Sequence, residues 1–158
     1  MRVKPTLWIM PASLFIAMVL ALWPLPDLLA LWRPDWVALV LLYWALAPGR
    51  GLGPVLPWSI GVLVDVQTGV HLGLHALAFC LIVALAEVMH RRLKVFSLWQ
   101  TGMAVAVLLT VLRLVLCVGV AIGAHAGLPH LDLFPVLSGA LVWPLVVVLL
   151  RRAQGLSR

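Results

Sequence analysis

The stretch LWQTGMAVAVLLTVLRLVLCVGVAIG, residues 98–123, holds one charge, Arg113, in an otherwise apolar run. A hydrocarbon core about 30 Å thick takes roughly 20 apolar residues of helix to cross, and this run exceeds that length. It therefore reads as a membrane span. Five further apolar segments surround it: 7–25, 36–47, 55–66, 71–89 and 133–150. Segments 36–47 and 55–66 fall short. Each would cover roughly 18 Å as helix, so each is either extended by its flanks or sheltered in protein rather than lipid. The turn Pro48-Gly49-Arg50-Gly51-Leu52-Gly53-Pro54 between them predicts a helical hairpin of the second and third segments.

Composition leads to the same solvent. Of the 158 residues 65% are hydrophobic and only 10% charged, against about 25% charged in a soluble domain. So few charges cannot cover a water-facing surface, and the chain is expected to be an all-α, polytopic membrane protein forming one integral membrane domain over residues 1–158. The net charge of +6 comes from short basic runs, the pattern an anionic inner leaflet selects and not that of a nucleic-acid binder. Cys80 and Cys117 sit in apolar runs without CxxC spacing, which suggests neither a disulfide framework nor zinc. Arg2 and Lys4 before an apolar run resemble a signal peptide, but the run is long and Trp23-Pro24-Leu25-Pro26 is a poor cleavage site, so it reads as an uncleaved first span.

The basic residues orient the spans. With six crossings and both termini cytoplasmic, Arg2, Lys4, Arg50, the cluster Arg91, Arg92 and Lys94, Arg151, Arg152 and Arg158 all lie inside, and Arg33 falls outside. Merging the two short segments into one crossing would move the Arg91 cluster outside. A re-entrant hairpin keeps it inside, so charge alone leaves that version open. Trp8, Trp23, Trp32, Trp36, Trp44, Trp58, Trp99 and Trp143 lie mostly near span ends, where indole prefers the headgroup region.

Ionisable side chains at bilayer depth cost a few kcal/mol and call for partners. Arg113 and Asp65 fall at comparable depth in the outer half, which predicts an Asp65–Arg113 ion pair. Gly61, Asp65, Gly69 and Gly73 recur every four residues, a small-residue pattern that permits close helix approach, within the chain or toward a partner. Residues 67–73 read as the short external turn between spans three and four. His71 and His75, one helical turn apart, could share a metal, but no third ligand has matching spacing, and a turn-capping or inter-helix hydrogen bond is the expectation for His75. Glu87 precedes Arg91 by four residues, the favourable orientation for a helix-surface pair.

Arg33-Pro34-Asp35-Trp36 opens the second span. Pro34 and Asp35 suit a helix start, whereas Arg33 stands where positive charge is avoided, so Arg33, Asp35 and Trp36 are candidates for an external partner or lipid headgroup. The sequence contains no GxSxG, HExxH or Walker loop and no carboxylate pair at glycosidase spacing, and none of its scattered acids forms a catalytic arrangement.

In order, Arg33-Pro-Asp-Trp, the apolar run ending Tyr43-Trp44-Ala45-Leu46, Gly61-Val-Leu-Val-Asp65, Gly69 through Gly73-Leu74-His75-Ala76-Leu77, and Arg91-Arg92-Leu93-Lys94-Val95-Phe96-Ser97-Leu98-Trp99-Gln100 resemble the rod shape-determining protein MreD family. The resemblance covers about residues 30–105. It implies a bacterial inner-membrane component of the elongation machinery that builds lateral-wall peptidoglycan. It also implies partnership with the bitopic protein MreC and, through it, with the actin-like MreB, the glycosyltransferase RodA and a class B penicillin-binding protein, with no cofactor and no chemistry of its own. That family is similar in turn to the six-helix substrate-binding subunits of energy-coupling-factor transporters. This keeps a second function open, a membrane-embedded binder of a small molecule or lipid with a pocket in the outer half lined by Asp65, His71, His75, Arg113, His125 and His130.

Overall fold

Nine consecutive buried residues, Val37 to Ala45, define the centre of the molecule. The computed structural model describes residues 6–23, 32–47, 51–93, 98–124 and 132–155. These form six helices, α1 Thr6–Leu22, α2 Trp36–Ala45, α3 Val55–Thr68, α4 Leu74–Leu93, α5 Leu98–Ala124 and α6 Phe134–Ala153, with no strand among the described residues. Every residue of α2 from Val37 to Ala45 is buried. Helices α1, α4 and α6 pack around it, and α5 touches it more lightly.

The shortness of α2 explains its place. Ten residues span only about 15 Å as helix, so in lipid both helix ends would present unsatisfied backbone groups to hydrocarbon. Surrounding it with longer helices avoids that cost. Because lipid is as apolar as leucine, close packing and polar contacts have to hold it there, rather than a hydrophobic drive.

Helix α3, the other short element, has a different solution. Its buried residues are Pro57, Gly61, Val64 and Asp65, one stripe at helical spacing, and this stripe faces α4. A Cβ on Gly61 would fall inside the Ala76 backbone, so the two helices touch main chain to main chain. The expected hairpin of the second and third helices is therefore not formed as a packed pair: α2 and α3 hardly touch, and the close antiparallel pair is α3 with α4. Between segments of similar hydrophobicity, glycine placement decides which pair approaches most closely.

Two glycines that the sequence reading passed over do the same for the next interface. On α5, Gly119 lies under Leu74 and Gly123 under His71, a G-x-x-x-G pair that seats the start of α4. Gly139 of α6 receives Leu109 of α5 in the same way.

Outward faces are apolar to an extent that no water-facing surface carries, with Phe15, Val66, Leu77, Val88 and Leu141 all more than 60% exposed. Two helical stretches, Trp99–Gly123 and Phe134–Ala153, are long and apolar enough to cross a membrane, and the remaining helices are apolar but shorter. The chain is thus built for a membrane. Trp8, Trp23, Trp32, Trp58 and Trp99 are exposed, whereas Trp44 and Trp143 are core residues at 1% and 2% exposure. Trp143 departs from the expected place near a span end, since it lies on an interior face midway along α6; Trp44 stands at the end of α2 but inside the core.

Candidate functional site

Polar side chains collect at the two ends of the helix bundle. At one end, Tyr43 of α2 donates through its hydroxyl to Gln154 Oε1, just past α6, at 3.3 Å. Nearby in sequence, the buried Trp44 indole N–H donates to Ser13 Oγ of α1 at 3.0 Å, and that hydroxyl donates to the Met10 carbonyl at 2.8 Å. Glu87 of α4 accepts the Leu52 backbone N–H at 2.7 Å, fastening the segment that leads into α3. Sequence spacing paired Glu87 with Arg91, but its carboxylate is turned to this loop amide, and the Arg91 side chain lies outside the described residues.

The opposite end contains the residues singled out by sequence. Asp65, in the last turn of α3, is fully buried. Its carboxylate accepts the backbone N–H of Gly73 at 2.8 Å and that of His75 at 2.9 Å, the free donors at the start of α4. It also lies 2.8 Å from His75 Nδ1. A carboxylate can only accept, so Nδ1 carries the proton and Nε2 is the free ring nitrogen. Asp65 is thus the N-terminal cap of α4, supplied by another helix, and its negative charge suits the positive end of the α4 dipole. The intervening turn is tight because Gly69 and Gly73 adopt left-handed φ of 67° and 97°. Of the four-residue repeat, only Gly61 and Asp65 lie on the helix interface, and Gly69 and Gly73 are turn residues.

Arg113, midway along α5, places Nη2 at 3.0 Å and 2.9 Å from the two carboxylate oxygens of Asp35. The predicted Asp65–Arg113 pair is therefore replaced by two others, Asp65–His75 and Asp35–Arg113. The acid beside Arg113 stands at the start of α2, the helix that α5 helps enclose. Asp35 makes no capping bond to its own helix; its carboxylate is turned to the arginine. Arg113 Nε is buried without an acceptor among the described residues.

Arg33, unexplained by sequence, donates to the Leu20 carbonyl at 3.2 Å, in the last turn of α1 where a cation is favoured by the dipole. Trp36 is half-buried against the core. Arg33, Asp35 and Trp36, the candidates for an external partner or lipid headgroup, line a cavity of about 310 Å³, together with Thr68, His75, Arg113 and Asp132. Its apolar wall includes Phe79, Leu112 and Leu116. His71 is not in this lining and rests on Gly123. Lys94, His125 and His130 lie outside the described residues, as do the side chains of Arg91 and Arg92. A second recess, apolar and about 450 Å³, runs between Met10, Pro11, Leu14, Phe15 and Met18 of α1 and Leu56 and Ile60 of α3.

The sequence carries these features in a known order. The family model of the rod shape-determining protein MreD matches residues 1–153. The rod shape-determining protein MreD of Haemophilus influenzae is 30% identical over 149 residues, spanning 93% of this chain and 91% of that protein. No solved structure matches the chain. A match running from the first residue through the end of α6, with a relative of the same description covered over nearly its whole length, establishes that this chain belongs to the MreD family, whose role is rod shape determination.

Proposed function

We propose that this protein is a non-catalytic inner-membrane scaffold of the bacterial elongation machinery, crossing the membrane six times with both termini cytoplasmic. It holds an MreC-like bitopic partner and, through it, takes part in the assembly of MreB, RodA and a class B penicillin-binding protein. The observation that carries this reading is how the polar groups are used. Asp65 with His75, Arg113 with Asp35, Glu87 with Leu52, Trp44 with Ser13 and Tyr43 with Gln154 each tie one element of the chain to another. This is how a framework uses polar groups, whereas catalysis needs side chains turned toward a reacting molecule.

Six crossings are supported by the ends at which residues meet. Arg151 and Arg152 close α6 beside the Tyr43–Gln154 contact, while Arg33 stands at the other end with the start of α2. The apolar recess between α1 and α3 is the face we assign to the partner's helix. It is a furrow open along one side of the bundle, and its two methionines adapt readily to an incoming surface.

Affinity purification from a detergent extract, followed by protein identification, tests the reading. The wild-type chain should bring down a single-pass protein in stoichiometric amount, and Ile60→Trp, which fills the furrow, should lose it while remaining folded. Purification of the wild type alone, or undiminished capture by Ile60→Trp, would reject the scaffold or the face respectively.

A further inference from the structure

The cavity at the Asp35 end has a charge pattern that the helix contacts leave unused. Four charged residues line it, Arg33 and Arg113 against Asp35 and Asp132, so the formal charges cancel. Arg113 and Asp35 are paired through Nη2, while Arg113 Nε stays without an acceptor among the described residues. Arg33 engages one Nη on the Leu20 carbonyl and retains further N–H donors. Among the described residues no side-chain hydrogen bond or ion pair meets the Asp132 carboxylate. Arg33 and Asp132 therefore line one cavity with opposite charges and are not paired to each other. His75 also lines the cavity, with Phe79, Leu112 and Leu116, and its Nδ1 is held by Asp65 so that Nε2 is the uncommitted nitrogen.

We propose that this cavity binds a zwitterion carrying a phosphate beside a primary ammonium, the phosphate on Arg33 and the ammonium on Asp132. A pure anion would satisfy Arg33 and leave Asp132 facing like charge; a pure cation would do the reverse. A ligand bearing both charges answers both, with charge-assisted hydrogen bonds at each end. The volume of about 310 Å³ lies at the lower limit for small-molecule sites, roughly 300–1,000 Å³, and suits a headgroup. The apolar wall gives the first carbons of an attached chain a surface to follow. An aminophospholipid of the surrounding bilayer and a free phosphoethanolamine-like solute share this chemistry. The site is independent of the scaffold reading, since a framework protein can hold a lipid at its seam.

Native mass spectrometry of the full chain in detergent distinguishes the sources. The protein is titrated with phosphatidylethanolamine, with phosphatidylcholine, whose quaternary ammonium has no N–H for Asp132, with phosphatidylglycerol, which has no cation, and with free phosphoethanolamine. Phosphatidylethanolamine should be retained about tenfold over the other two lipids, the ratio for one charge-assisted contact of about 1.4 kcal/mol. Asp132→Asn should remove that preference, whereas Arg33→Gln, which loses the phosphate contact common to all three, should weaken their retention together. Asp132 is exposed and bonded to nothing among the described residues, so its variant tests the site with the fold intact. Competition by free phosphoethanolamine assigns the site to a solute, and its failure to compete assigns it to the lipid. Equal retention of all three lipids, a preference unchanged in Asp132→Asn, or retention undiminished in Arg33→Gln would overturn the proposal.

Discussion

Asp65 and His75 hold each other at 2.8 Å across the α3–α4 turn, and the same carboxylate takes the Gly73 and His75 backbone amides. One buried acid thereby fixes the start of a helix that it does not belong to. Asp65→Ala would orphan three donors, each costing about 1–3 kcal/mol, so a loss of at least about 3 kcal/mol is expected. Asp65→Asn keeps one acceptor but turns an NH₂ toward a donor, and should fall between. Unfolding by denaturant in detergent measures both. Wild-type stability in the alanine variant would refute the capping role.

Gly61 and Gly53 should respond differently to the same methyl group. At Gly61 a Cβ meets the Ala76 backbone, which cannot swing aside. Gly61→Ala is expected to cost about 3 kcal/mol or more and to separate α3 from α4. Gly53 has open space but a φ of 62°, so Gly53→Ala should cost only about 1 kcal/mol through backbone strain. Disulfide trapping between cysteines placed on α3 and α4 reads the helix separation in each variant.

Arg113 should be rescued by one partner only. Reversing both members of the observed pair, Asp35→Arg with Arg113→Asp, should recover stability lost in either single variant, with a coupling of about 0.5–3 kcal/mol. Combining Asp65→Arg with Arg113→Asp should recover nothing and should add the loss of the α4 cap. Recovery by the second combination would place Arg113 against the wrong acid.

Trp44 and Ser13 join α2 to α1 through one buried hydrogen bond. Trp44→Phe and Ser13→Ala should each cost about 1 kcal/mol, and together less than the sum, because the bond can be lost only once. Additive losses in a double-mutant cycle would show that the bond contributes nothing.

The helices were legible because hydrophobic run length reads directly on the chain. Segments beginning at 36, 55, 98 and 133 start within a residue of α2, α3, α5 and α6. Helix partnership was not, since lipid-facing and protein-facing stripes are equally apolar. The burial of α2 and the pairing of α3 with α4 depend on where Gly61, Gly119 and Gly123 fall in three dimensions. At the site, the sequence singled out Asp65, His75, Arg113, Asp35 and Arg33 as chain positions where an ionisable group demands a partner. It could not assign the partners, because Asp35 and Arg113 are 78 residues apart and meet only after α5 packs beside α2. Trp143 misled because indole rings serve interfaces and interiors alike. The G-x-x-x-G pair at Gly119 and Gly123 was a readable signal that went unused.

Photo-crosslinking in living cells tests most directly whether the protein is a scaffold that holds a partner's helix. A photoreactive residue replaces Phe15 or Ile60 in the α1–α3 furrow and, for comparison, Leu141 on the exposed face of α6. A discrete adduct with a single-pass membrane protein is expected from the two furrow positions and none from Leu141. Adducts with lipid alone at positions 15 and 60, or an equal protein adduct from Leu141, would contradict the scaffold reading.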